Sequence, residues 1–274
     1  MNILALALAA SAFASDPNYI REVEQYRVST EAKLKADDGW LTVVGLFRLK
    51  EGENRVGSGE ANEITLPAPA PASLGTIVFS NGTATYRADG QPAHALTPNT
   101  DIIRSGPVSF FLIKRGDELL VRVKDHNSEL RRTFTGQKWF PIDPSWKITA
   151  KFTPFDQPRT ILFDSQNNVK QPMRNPGSAT FTRDGKQYRL DPVWEGKRLF
   201  FIFRDATSNK STYGAARFLY AEPGADGTVI LDFNKAINPP CAFTPYATCP
   251  LPPPQNRLTL AITAGEKKYS DRIE

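Results

Sequence analysis

A chain of 274 residues with 40% hydrophobic and 23% charged side chains has enough apolar surface for one large core or two small ones, which excludes a disordered chain. Its formal net charge of +5 is spread thinly, with Lys and Arg interleaved among Asp and Glu. It lacks the basic cluster or reading motif of a nucleic-acid binder, and nucleic acid is not an expected partner.

The N-terminus opens on a short apolar run, Ile3 to Ala10, followed by small residues at Ala12 and Ala14. This pattern predicts a signal peptide over residues 1–14, cleaved after Ala14, and hence a periplasmic or secreted protein. No Lys or Arg precedes the run, and no Cys follows the small residues to take a lipid anchor. No later segment is apolar enough to span a bilayer.

Asp16-Pro17 reads as an N-cap and first-turn pair opening one amphipathic helix within residues 15–38, with Tyr19, Ile20, Val23, Tyr26 and Val28 spaced roughly three apart. Beyond it come many short β-rich runs, among them Leu41 to Phe47, Thr83 to Ala88, Leu119 to Val123, Trp146 to Phe152, Thr160 to Phe163 and Arg198 to Phe203. Turn pairs such as Asn81-Gly82, Asp89-Gly90 and Asp184-Gly185 separate neighbouring runs. The expected fold is mainly β, with antiparallel sheets in a sandwich or barrel and one N-terminal helix. A soft boundary near residues 127–145 divides the expected units into residues 39–126 and 127–274.

Two stretches carry a family resemblance. The first is Trp40-Leu41-Thr42-Val43-Val44-Gly45-Leu46-Phe47 with Leu49 to Asn54. The second runs from Asp232-Phe233-Asn234-Lys235 through Asn238-Pro239-Pro240-Cys241 and Cys249-Pro250 to Asn256-Arg257-Leu258. Together, over nearly the whole mature chain, they resemble the bacterial and archaeal family designated domain of unknown function 1684. The family supplies no activity to import. Within residues 39–126, Asn54-Arg55-Val56-Gly57-Ser58 resembles the opening of forkhead-associated sandwiches, which bind phosphothreonine through an Arg directly after the Gly. Here Ser58 stands in that place, so the resemblance implies a sandwich without the phosphate fork.

The densest candidate for chemistry is Asp232 to Arg257. Prolines 239, 240, 245, 250, 252, 253 and 254 stiffen the loop over residues 238–257. Asp232, Asn234, Lys235, Asn238, Asn256 and Arg257 flank it. Two readings stand: a ligand site, or a clasp in which Asn and Arg side chains satisfy the backbone of a Pro-rich crossing. Arg204, Asp205, Tyr213 and Arg217 join this set, since Arg204, Arg217, Arg257 and Lys235 could line an anion pocket. An inward Arg217 would need a carboxylate such as Asp205 or Asp232, and a structural ion-pair network is the plainer form of that arrangement.

Cys241 and Cys249 are the only cysteines. In an exported chain they suggest one disulfide; buried free thiols, or a Cys241 nucleophile with His126 as base, are the other readings. Neither a metal site nor a cofactor is expected, because zinc spacings, phosphate loops, dinucleotide fingerprints and EF-hand loops are absent. The leading expectation is a small ligand, carboxylate- or phosphate-bearing, bound beside the Pro-rich loop. The alternatives are a hydrolase using Asp232, Asp205 or Cys241 with Arg217 or Arg257 stabilising an anion, and a structural or assembly protein of the envelope.

Overall fold

The structure, a computed structural model, describes residues 16–165 and 170–269. The leader expected at residues 1–14 lies outside the described residues. Helix α1 (Pro17–Lys35) starts where the sequence places it: the Asp16 carboxylate accepts the Asn18 backbone N–H at 2.9 Å, and Pro17 sits in the first turn. Tyr19 and Val23 are its buried residues. Among the described residues no helix is long and apolar enough to cross a membrane.

The first half holds β1 (Val43–Arg48), β2 (Gly52–Gly57), β3 (Ile64–Thr65), β4 (Gly75–Ser80), β5 (Thr83–Ala88), β6 (His94–Ala95), β7 (Ile102–Ser105), β8 (Val108–Arg115) and β9 (Glu118–Asp125). They form two sheets, ordered β1-β9-β8-β7 and β3-β2-β4-β5-β6. Every pairing is antiparallel except β2 with β3. Val56, Ile77 and Tyr86 of one sheet pack with Phe110, Leu112, Val121 and Val123 of the other. Side chains alternate across a strand, so Ile113 and Arg115 of β8 and Leu120 and Arg122 of β9 face away from this core. Ile113, Leu120 and Arg122 are nevertheless buried, which means the outer face of that sheet is covered.

After a single helical turn, α2 (Glu129–Arg132), the second half contains β10 (Lys147–Phe163), β11 (Gln171–Arg183), β12 (Lys186–Leu190), β13 (Val193–Glu195), β14 (Arg198–Phe203), β15 (Arg217–Ala221) and β16 (Thr228–Asp232). The sheets run β12-β11-β10-β16 and β13-β14-β15. Thr160 to Phe163 is not a separate strand, as the sequence suggests, but the end of one long β10. Its pairing with β11 shifts between Pro154 and Arg159, and β16 pairs only with Lys147–Lys151, so Pro154 and Pro158 both fall where one flank of β10 is open.

Strand β14 is apolar on both sides. Leu199, Phe201 and Phe203 enter a core with Leu219, Leu231 and Phe233, while Phe200 and Ile202 enter a second cluster with Phe218, Cys241 and Cys249. A continuous run of Leu199-Phe200-Phe201-Ile202-Phe203 is what a strand buried on both faces requires. The two-residue turns Asn81-Gly82 and Asp184-Gly185 have φ of 50° and 78°, and of 51° and 73°. Left-handed φ at both positions is the tight-hairpin geometry that matches strand twist.

Candidate functional site

The chain from Asp232 to Arg257 runs over β14 and β15 with little ladder pairing of its own, so side chains satisfy its backbone. Asp232 caps the turn Phe233–Lys235, accepting from the Asn234 N–H at 3.2 Å and from the Tyr19 hydroxyl at 2.9 Å. Asn234 accepts from the Asp143 N–H at 3.0 Å and donates to the Asp143 carbonyl at 2.8 Å. Lys235 pairs with Glu22 of α1 and lies 3.5 Å from Asp232. Asn256 is fully buried; it accepts from the Asp191 N–H at 2.8 Å and donates to the Asp191 and Ile202 carbonyls, each at 2.9 Å. Arg257 donates from Nε to the Pro252 carbonyl at 3.3 Å, and the Arg204 backbone bridges residues 256 and 258.

These are the bonds of a clasp. Asn256→Ala should therefore destabilise the protein by about 2 kcal/mol in urea unfolding, because buried backbone groups lose their partner. An unchanged midpoint would show that Asn256 fastens nothing.

Arg217 and Asp205 form an internal ion pair. Nη1 lies 2.8 Å from Asp205 Oδ2, both side chains are fully buried, and the guanidinium also donates to the carbonyls of Ile262 and Ala264. Asp205 Oδ1 accepts from the Thr207 N–H at 2.7 Å. Tyr213 donates to the Cys241 carbonyl at 3.1 Å. Neither Asp205 nor Arg217 faces an open space, so this part of the predicted set is the structural network.

Cys241 and Cys249 are buried and adjoining, with the Cys241 N–H donating to Cys249 Sγ at 3.3 Å. They are free thiols here rather than the bridge expected from the sequence. The neighbouring Cys241 first and burial second raise Cys249 well above the ordinary thiol value. His126, the base suggested for Cys241, is exposed, and among the described residues no hydrogen bond joins the two. Also among the described residues, no group of three His, Cys, Asp or Glu could hold a metal ion.

A cavity of about 430 Å³ opens beside the Pro-rich segment. Its apolar wall is made by Leu34 of α1, Trp40, Met173 of β11, Phe200 of β14, and Phe218 and Tyr220 of β15. Pro240, Phe243 and Cys249 close it from the Pro-rich side. Polar groups converge from Lys33, Arg115, Gln137, Gln171, Asn238 and Thr248. Arg115 Nε donates to Thr248 Oγ1 at 2.8 Å, tying the sheet of the first half to the loop of the second. Asn238 is the one predicted ligand-binding residue in this lining; its N–H donates to Glu266 Oε2 at 2.8 Å, and its own Oδ1 is buried without a hydrogen-bond partner.

The lining residues the sequence reading missed come from elements far apart in the chain. One signal was available: Arg115 and Arg122 share a strand face with Ile113 and Leu120, an apolar and cationic mixture that solvent would not explain.

A family model described as "Protein of unknown function (DUF1684)" matches residues 132–267, which include the Asp232 to Leu258 stretch. The Trp40 to Asn54 stretch lies outside that match. The chain is similar to an uncharacterized protein of Haloarcula marismortui whose solution structure is known, with 31% identity over 53% of this chain and 81% of that one, at a TM-score of 0.44. No functionally curated protein matches the chain.

Proposed function

The chain belongs to the DUF1684 family of proteins of unknown function, and on that premise we propose that it binds a small molecule with a compact apolar body in the cavity beside its Pro-rich segment. The observation that carries this reading is the aromatic and aliphatic wall of Trp40, Met173, Phe200, Phe218 and Tyr220, contributed by separate elements around about 430 Å³. Small-molecule sites are concave, predominantly apolar and largely preformed, with a few placed polar groups and volumes of roughly 300–1,000 Å³. The Pro-rich segment then has a mechanical purpose: its clasps hold one wall rigid, so little ordering is required on binding. Asp205 and Asp232, the carboxylates a hydrolase would need, are engaged in structural bonds and do not line the cavity. Export guided by the leader-like run at residues 1–14 belongs to the same proposal, and the intact mass of protein recovered from the exported fraction tests it.

The test uses a neutral amphiphile, decan-1-ol. Saturable stabilisation is expected, reaching about 2.7 kcal/mol at a hundredfold excess over Kd, or about 5–10 °C in Tm. Met173→Trp, which fills the cavity, should abolish it while the fold persists. Absence of any saturable response, or one that survives the filled cavity, rejects the reading.

A further inference from the structure

Arg122 is only 6% exposed, yet its Nε and Nη2 are buried without a hydrogen-bond partner. Its guanidinium lies 4.7 Å from the centroid of the Trp40 ring, and Trp40 is part of the cavity wall. The strand alternation that buries Leu119, Val121 and Val123 in the sandwich core turns Arg122 outward, toward the covered face. Arg115 of the neighbouring strand faces the same way and lines the cavity directly.

A buried guanidinium ordinarily has a carboxylate beside it. Among the described residues neither Arg115 nor Arg122 makes an ion pair. Glu118, opposite Arg115 in the β8–β9 register, pairs with Arg48 at 2.9 Å. Glu195, the carboxylate in the cavity lining, pairs with Arg198 at 3.1 Å. Cys249 is held as a thiol by Cys241 and by burial, so it supplies no charge. Burial first and Arg115 second push Arg122 down to about 10, still cationic at neutral pH. Arg115 thus lines the cavity and Arg122 lies beside it behind the Trp40 wall, and among the described residues neither cation has an anion paired with it.

We propose that Arg115 and Arg122 form the head-group site of this cavity, so that its ligand is an anionic amphiphile: a carboxylate at the arginines and an apolar body against Trp40, Phe200 and Phe218. The assignment rests on the cavity reading above and adds the charge. A planar guanidinium already stacked on an indole keeps its N–H edge free for bidentate contact with a carboxylate. Thr248, bonded to Arg115, adds a hydroxyl at the same end.

The experiment compares decanoate with decan-1-ol, which share the tail and differ in the head, by calorimetric titration of the full chain. The wild type is expected to prefer decanoate by tenfold or more. Arg122→Leu and Arg115→Leu should each reduce the preference for decanoate over decan-1-ol about tenfold. Should Arg122→Leu fail to fold, Arg115→Leu, which alters a half-buried residue, carries the test. Equal binding of the two probes, or a decanoate preference that survives Arg115→Leu, overturns the head-group assignment and leaves the cavity reading standing. If neither probe binds the wild type, the cavity reading falls and the head-group site falls with it.

Discussion

Arg217→Met is expected to destabilise the fold by about 3–5 kcal/mol, because it removes one partner of a fully buried ion pair and leaves the other charge in place. Three partners are stranded at once: the Asp205 carboxylate at 2.8 Å, the Ile262 carbonyl at 3.1 Å and the Ala264 carbonyl. The tail that carries those carbonyls also carries Ile262 and Ala264 into the core with Phe203, Leu219 and Phe233, so loosening it exposes apolar surface as well. Gly265 shows how closely the guanidinium is housed. At φ of +80°, a Cβ there would lie 2.8 Å from Arg217 Nη2 and 2.6 Å from the carbonyls of Phe233 and Ala236.

Urea unfolding of Arg217→Met, Asp205→Asn and the double variant measures the pair. Either single substitution should lower the midpoint strongly. The double variant should cost less than the sum of the two, since no uncompensated charge remains. A loss of under about 1 kcal/mol for Arg217→Met would mean that the pair holds nothing together, and the network would lose its structural role.

That pair illustrates what the residue order discloses and what it withholds. The hairpins were legible because Asn81-Gly82 and Asp184-Gly185 have few conformations open to them, and the alternation of Leu119, Val121 and Val123 marks a face directly. An inward Arg217 with an acidic partner could also be read, since an Arg among Ala216, Phe218 and Leu219 has few other places to go. The cavity was not legible. Alternation says which side chains share a face, but it does not say what covers that face.

Trp40, Arg115, Phe200 and Cys249 meet only because the Pro-rich segment folds back over β14 and the outer face of β8 and β9. Polar residues near a proline-rich crossing drew the sequence reading toward Asn234, Lys235 and Asn256. Prolines remove backbone donors, and the same neighbourhood needs side chains to serve the backbone groups that remain. Density of polar residues there signalled fastening, and of the predicted ligand-binding residues only Asn238 reaches the cavity.

Wild-type stability should fall between pH 4.5 and pH 7 by about 3 kcal/mol relative to Glu266→Gln, through titration of a single buried carboxyl. Glu266 is 1% exposed. Oε2 accepts the Asn238 N–H at 2.8 Å, and Oε1 has no hydrogen-bond partner. Burial raises the group from 4.5 to about 7, opposed by the Asn238 N–H, by the nearby Gln137 and Asn238 side chains and by the field of Arg217. A carboxyl with a higher pKa folded than unfolded binds more protons in the native state over that interval. Its contribution is therefore complete below pH 4.5, declines as pH rises, and is lost above about 7.

The amide in Glu266→Gln keeps a carbonyl oxygen for the Asn238 N–H and does not ionise, so its stability should lack this slope. Urea unfolding of both proteins from pH 4 to pH 8.5 isolates the group, since the other titrating residues are common to the two curves. The variant should match the wild type near pH 4.5 and exceed it near pH 8; a difference that stays flat would place the ionisation of Glu266 outside this interval. Glu266 thus stands directly behind Asn238, which lines the cavity.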